Sequence, residues 1–270
     1  MTHDTPRLRR ALSVALAAAA LLAGGCASAG RDSLPPGTLE PDRFLYERGM
    51  QELADHDWMT AREYLTEVFE TYTQSRYRPD AKLGIGDSYL GEGGPDGRVN
   101  AISHFSEFLT FYPTHARADY AQYHLALAHF RQMRGAQRDQ NETLDAIAEF
   151  EAFLTRFPNS SLVPDARAAL REAKDRLGDH EFSVGLFYYR INWWTGALAR
   201  FRELLKADPD YTGRDQVYYY MGETLLKSGH AAEALPYYAR LVDEFEESDR
   251  LEDAKARVAE LTASAGQENP

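Results

Sequence analysis

The apolar positions of this chain repeat at long range as well as at helical spacing. "AISHFSEFLTFYP" (Ala101 to Pro113) and "AIAEFEAFLTRFP" (Ala146 to Pro158) keep Ala, Phe, Phe and Pro at the same offsets, while the residues between them mostly differ. Steps of three and four put Ala101, Phe105 and Phe108 on one face of a helix, and Ala146, Phe150 and Phe153 likewise. Packing positions are kept and solvent positions drift, which predicts a repeated helical unit. The skeleton recurs in looser form elsewhere. Gly49 precedes Ala61, Leu65 and Val68; Gly185 and Tyr188 precede Ala197, Phe201, Leu204 and Pro209; Gly222 and Leu225 precede Ala234, Tyr238 and Leu241. Gly86 and Tyr89 stand before Ala101, and Tyr123 and Ala126 before Ala146. No alternating stretch is long enough to support a sheet.

The skeleton resembles the tetratricopeptide signature, a helical hairpin of about 34 residues with a small residue and an aromatic in its first helix. The second helix carries Ala, an aromatic four later, and a closing Pro. A small residue at the crossing lets two backbones approach, and the large residue fills the groove beside it. No such hairpin buries its apolar face alone, so the expected fold is an all-α solenoid of about five tetratricopeptide-like hairpins. Proline is expected to stop each second helix, "GEGGPDG" (Gly91 to Gly97) to widen one turn, and "RQMRGAQRDQN" (Arg131 to Asn141) to form a longer insertion. Between the third and fourth repeats, Ser161 to Arg190 reads as one helix and the start of another, with Pro164 at the beginning and Gly178 at the break.

The N-terminus follows a different pattern. Arg7, Arg9 and Arg10 precede the charge-free "ALSVALAAAALLA" (Ala11 to Ala23). At about 1.5 Å per residue, that stretch is too short for a hydrocarbon core of about 30 Å, and it reads as a secretory signal. It runs into "LLAGGC", where Cys26 is the only cysteine of the chain, which excludes a disulfide framework. Small residues before a cysteine resemble a lipobox, although Leu22 lies four residues ahead of Cys26 and Ala23 three. We read Cys26 as a lipidation site rather than an incidental residue, with acyl chains as the membrane anchor. Ala27, where aspartate would favour inner-membrane retention, directs the expectation to the outer membrane. The expected organisation is a signal over 1–25, a lipidated and flexible tether over 26–41, and N-terminal repeats over 42–160. A linking helix with the C-terminal repeats follows over 161–262, and a disordered tail over 263–270. Loss of residues 1–25 removes one aspartate and three arginines, taking the net charge from −12 to −14. Such a surface repels phosphates, so nucleic acid is excluded as a partner.

No catalytic constellation emerges, and neither a cofactor nor a metal is expected. His180 and Glu181 lack a second histidine at Val184, so the zincin pattern fails. His124 and His129, five residues apart, fall about 140° apart on a helix and read as satisfied or exposed side chains. The glycines of "GEGGPDG" follow no strand, and the serines lack a nucleophile elbow. What remains is a concave surface suited to binding polypeptides.

A denser match covers "KDRLGDHEFSVGLFYYRINWWTGALARFRELLKADPD" (Lys174 to Asp210) and "PTHARADYAQY" (Pro113 to Tyr123). Both stretches resemble the BamD family, the tetratricopeptide lipoproteins of the outer-membrane β-barrel assembly machinery. The matched residues include Lys174, Glu181, Tyr188, Arg190, Trp194, Arg200, Asp119 and Tyr120. The resemblance implies a non-enzymatic outer-membrane lipoprotein facing the periplasm. It also implies that the C-terminal repeats bind a POTRA domain of the barrel-forming subunit and the N-terminal repeats bind unfolded outer-membrane proteins, with accessory lipoproteins as possible further partners. Arg200, six residues after Trp194, occupies the family's POTRA-contact position, and Arg190, Trp194, Glu181, Asp119 and Tyr120 complete the expected partner-binding set. The chain departs from the family pattern at Arg134 to Asn141 and along the acidic run Asp243 to Asp253. A second function class stays open from the sequence: a lipoprotein adaptor for periplasmic envelope enzymes or pilus assembly.

Overall fold

The computed structural model describes residues 34–267, so Cys26, the signal and the first half of the tether lie outside the described residues. Eleven helices and no strand occur among the described residues. They are α1 (Pro41–Ala54), α2 (Trp58–Thr71), α3 (Arg78–Glu92), α4 (Gly94–Phe111), α5 (Ala118–Phe130), α6 (Asn141–Arg156), α7 (Val163–Arg190), α8 (Trp194–Ala207), α9 (Arg214–Lys227), α10 (Ala231–Glu244) and α11 (Leu251–Gln267). The first ten pair in order as five antiparallel hairpins, and α11 packs on α10 at the end of the stack. None of these helices is long and apolar enough to cross a membrane.

Each crossing uses the small-against-large arrangement expected from the repeat. A Cβ added at Gly49, Gly86, Gly185 or Gly222 would stand 2.7, 2.8, 2.4 or 2.4 Å from Leu65, Phe105, Phe201 or Tyr238, respectively. These large side chains are fully buried, as are Ala61, Ala101, Ala146, Ala197 and Ala234 one turn earlier. The spacing was legible because both members of the pair sit in one hairpin.

Three of the five hairpins share one turn design. In the first, fourth and fifth hairpins the helix ends through a left-handed residue: His56 (φ 63°), Asn192 (φ 60°) and Gly229 (φ 83°). The next amide then bonds back five residues, Asp57 N to Glu52 O, Trp193 N to Tyr188 O and His230 N to Leu225 O, at 2.9, 2.9 and 2.8 Å. The second hairpin uses Gly93 and Gly94, both with positive φ. "GEGGPDG" does not widen this turn: Pro95, Asp96 and Gly97 join α4, which gains an extra N-terminal turn with proline at its start. The second helices stop before their prolines. Tyr112, Phe157 and Asp208 already leave the helical region, as residues preceding proline must, but Tyr72 and Phe245 do so with no proline following.

Two boundaries differ from expectation. α7 is one continuous helix of 28 residues, unbroken at Gly178. Gly178 is instead a contact: the Tyr211 ring lies where its Cβ would be, at 2.5 Å, and Tyr211 donates to Asp179 Oδ1 at 2.6 Å. The first part of α7 packs with Phe150 and Phe153, and the part from Phe182 onward packs with Phe201 and Tyr220. At the other end, α11 runs through residues 263–267, which the sequence reading had placed in a disordered tail.

Candidate functional site: the groove beside Arg200

Helices α6, α7 and α8 leave a groove of about 400 Å³ between them. Leu144, Ile147, Leu177, Leu204 and Ala207 make its floor apolar, and Lys174, Glu181, Arg200, Glu203 and Asp208 carry charge around it. Ala197, Phe201 and Leu204 turn into the core, which sets Arg200 on the exposed flank of α8. Its Nη1 lies 3.4 Å from Glu181 Oε2, with side chains 46% and 35% exposed. That is longer than the 2.7–2.9 Å or so of a strong charge-assisted bond, and an exposed pair contributes at most about 1 kcal/mol. Arg200 therefore has donors to offer a partner and a nearby carboxylate that holds it in place meanwhile.

The rest of the rim is fixed more firmly. Lys174 Nζ bridges to Glu151 Oε1 at 2.6 Å, tying α7 to α6. Arg171 reaches both oxygens of Asp208, one at 3.1 Å, and also Asp175 at 3.0 Å. Burial would raise the Asp208 carboxyl, but the Arg171 hydrogen bonds and charge outweigh it and hold Asp208 below the usual range. An apolar floor flanked by charged side chains suits one face of an amphipathic segment.

The other expected site residues fall in separate places. Arg190 is the exposed last residue of α7, nine residues or about two and a half turns from Glu181. Trp194 opens α8, with its ring edge-on to Tyr189 at 5.6 Å and the Lys227 ammonium 5.8 Å away. Around the same turn Phe187, Ile191 and Trp193 are each more than half exposed, an apolar hairpin tip outside the expected set. Asp119 is occupied within its own repeat. It accepts from Ser160 Oγ at 2.6 Å, just as Asp42 accepts from Ser75 at 2.6 Å and Asp215 from Ser248 at 2.5 Å.

Tyr120 belongs to a partly buried polar nest on α3 and α5. Its hydroxyl donates to Asp87 Oδ1 at 2.9 Å, the His124 ring stacks on it at 3.9 Å, and the Arg117 guanidinium lies 4.3 Å over its other side. Burial pushes Asp87 up to about 6, against the Tyr120 hydrogen bond and the Arg117 charge. Burial and the charges of Arg131 and Arg117 push His124 down to about 4. Beside the nest, Lys82 is almost fully buried and donates to His104 Nδ1 at 2.8 Å and Glu107 Oε2 at 2.5 Å. Burial, then the Lys82 charge, brings His104 down to about 4.

A family model described as YfiO, an outer membrane lipoprotein, matches residues 40–234. The chain belongs to that family. The match takes in every hairpin through the start of α10, including the groove. Among curated relatives, the outer membrane protein assembly factor BamD of Caulobacter vibrioides is 26% identical over 227 residues, spanning 84% of this chain and 73% of the relative. BamD of Haemophilus influenzae is 27% identical over 235 residues, 83% of this chain and 87% of the relative. BamD of Vibrio cholerae is 28% identical over 180 residues, 63% of this chain and 73% of the relative. Among solved structures, the TPR2AB domain of yeast Sti1, in a pHSP90 complex, aligns with a TM-score of 0.44 at 14% identity, covering 84% of each chain.

Proposed function

We propose that this chain is an outer-membrane protein assembly factor: a non-enzymatic scaffold, acylated at Cys26 and facing the periplasm. The C-terminal repeats hold the barrel-forming subunit by a POTRA domain, and the N-terminal repeats receive unfolded outer-membrane proteins. Family membership and the BamD relatives support the assembly role. The observation that carries the docking site is Arg200, half-exposed at the mouth of an apolar groove and only loosely paired with Glu181. A guanidinium so placed can form a two-pronged bridge to a partner carboxylate, and the groove floor can take the apolar side chains around it.

Affinity purification from detergent-solubilised membranes tests this, comparing the wild type with Arg200→Glu. The wild type should recover a POTRA-containing barrel protein. The variant faces Glu181 and Glu203 across the rim and should weaken that binding by about 2–5 kcal/mol if the bridge is buried. Its folding should stay within about 1 kcal/mol of wild type, because the lost internal pair is exposed. A charge-reversed partner should restore part of the binding, which a folding defect would not allow. Normal recovery with Arg200→Glu places the docking surface elsewhere, and recovery of an envelope enzyme or pilus subunit in place of the barrel protein supports the adaptor reading. Cys26→Ser should release the chain from membranes and abolish acyl labelling.

A further inference from the structure

A second set of side chains converges away from the groove, across the insertion between α5 and α6. His129 stands in the last turn of α5, and Glu142 and Asp145 stand near the start of α6, with residues 131–140 looped between. His129 Nδ1 lies 2.9 Å from Glu142 Oε2, and one potential ligand atom from each of the three residues falls within 4.8 Å of the others. Gln132 approaches the same carboxylate, its Nε2 at 3.3 Å from Glu142 Oε2. We propose that His129, Glu142 and Asp145 form a site for a divalent transition metal that fastens the two ends of the 131–140 loop.

The donor set selects the ion. One imidazole and two carboxylates suit Zn²⁺ and its first-row neighbours, whereas Ca²⁺ and Mg²⁺ call for oxygen alone. Bonds of about 2.1 Å in a tetrahedral arrangement separate the ligand atoms by about 3.4 Å. The His129–Glu142 contact therefore opens by roughly half an ångström and the wider separations close, which rotation of the two acidic side chains supplies. His129 Nδ1 and the Glu142 carboxylate already face each other at hydrogen-bond distance, and an ion bound between them would take Nδ1 as a neutral, deprotonated ligand. His129 is mostly covered while Asp145 is exposed, so the site is backed by protein on one side and open to entry and to water ligands on the other. The end of α5 also favours a cation, because its last carbonyls carry partial negative charge.

The loop is already ordered by contacts that would work with such a clip. Gln140 donates to Gly135 O and Arg138 O at 3.0 and 2.9 Å, Arg98 donates to Arg131 O at 2.8 Å, and His180 of α7 meets Ala136 O at 2.6 Å. Metal binding at 129 and 142 would thus fix a segment that touches both the preceding hairpin and α7. The loop also carries Arg131, Arg134 and Arg138, three trypsin sites that report on its order.

The test is calorimetric titration of the chelator-stripped full chain with Zn²⁺, run beside trypsin digestion with and without the ion. Wild type should take up one equivalent saturably, and cleavage within 131–138 should slow severalfold while other cuts are unchanged. His129→Gln and Asp145→Asn should each lower the affinity at least about tenfold and remove the zinc-dependent protection. Asp145→Asn changes an exposed side chain, so its loss of binding cannot be ascribed to misfolding. Absence of saturable binding overturns the proposal. So does unchanged affinity in either variant, or Ca²⁺ bound as well as Zn²⁺.

Discussion

Gly185→Ala in α7 tests the crossing geometry directly. The added methyl would lie 2.4, 2.7 and 3.0 Å from Cε1, Cδ1 and Cζ of Phe201, where ordinary contact begins near 3.4 Å. The ring must retreat by about 1 Å, but Phe201 is fully buried and closed in by Phe182 at a centroid distance of 5.8 Å. Overpacking of this kind costs about 1–3 kcal/mol, and three atoms inside 3.0 Å or so place the cost at the upper end. Against it, alanine gains about 1 kcal/mol over glycine in a helix interior. The net expectation is a loss of about 2 kcal/mol. Gly196→Ala is the control, because its methyl would also come inside ordinary contact, at 2.8 Å from Trp193. That ring is 53% exposed and can swing aside, so the control should be neutral or stabilised by up to about 0.5 kcal/mol. Urea unfolding followed by far-ultraviolet circular dichroism reads both. In a Phe201→Leu background the Gly185→Ala cost should largely vanish, a coupling of about 2 kcal/mol. If Gly185→Ala is as stable as wild type, or costs the same with leucine at 201, close approach to the ring does not set this crossing.

Truncating Phe105 or Phe150 to alanine should cost about 3–5 kcal/mol each, since both rings are fully buried, whereas Phe111→Ala, 61% exposed, should stay within about 0.5 kcal/mol; denaturant midpoints decide. The nest predicts a pH signature. Asp87 keeps its proton to about 6 when folded, against an ordinary 3.8, so its contribution to stability falls as pH rises through that interval. His124 and His104 titrate near 4 when folded, against 6.5, so the unfolded chain binds more protons between these values and their contributions rise with pH. Asp87→Asn removes only the falling part. Its stability should climb more steeply than wild type from pH 4 to 6, the two curves diverging by up to about 3 kcal/mol. Parallel curves in urea titrations across that range would mean that Asp87 does not carry the proton.

What the sequence made legible was local. Gly185 and Phe201, or Gly86 and Phe105, lie within one hairpin, so their spacing survives as a pattern in the chain. Arg200 and Glu181 were legible through family resemblance, and the fold brings them together across the α7–α8 turn. Long-range partners were not. Gly178 looked like a helix break because the Tyr211 ring that packs on it is 33 residues away, and an interior glycine costs a supported helix only about 1 kcal/mol. Asp119 entered the expected set through the family resemblance, and its hydrogen bond to Ser160, 41 positions on, left no pattern in the chain. His129 was weighed against His124 on its own helix, whereas its acidic neighbours sit beyond the loop. Within the nest, the Arg117–Tyr120 and Tyr120–His124 contacts, at spacings of three and four, were the parts that helical geometry alone could have suggested.

The continuity of α7 gives the molecule a mechanical character. A helix of 28 residues is about 42 Å long, and it is shared by the packing of the third hairpin and of the fourth. With no break at Gly178, the two ends of the stack behave as arms of a single lever with a stiff shaft. In the role proposed for this chain, such a shaft would let displacement at one end of α7 register as force at the other.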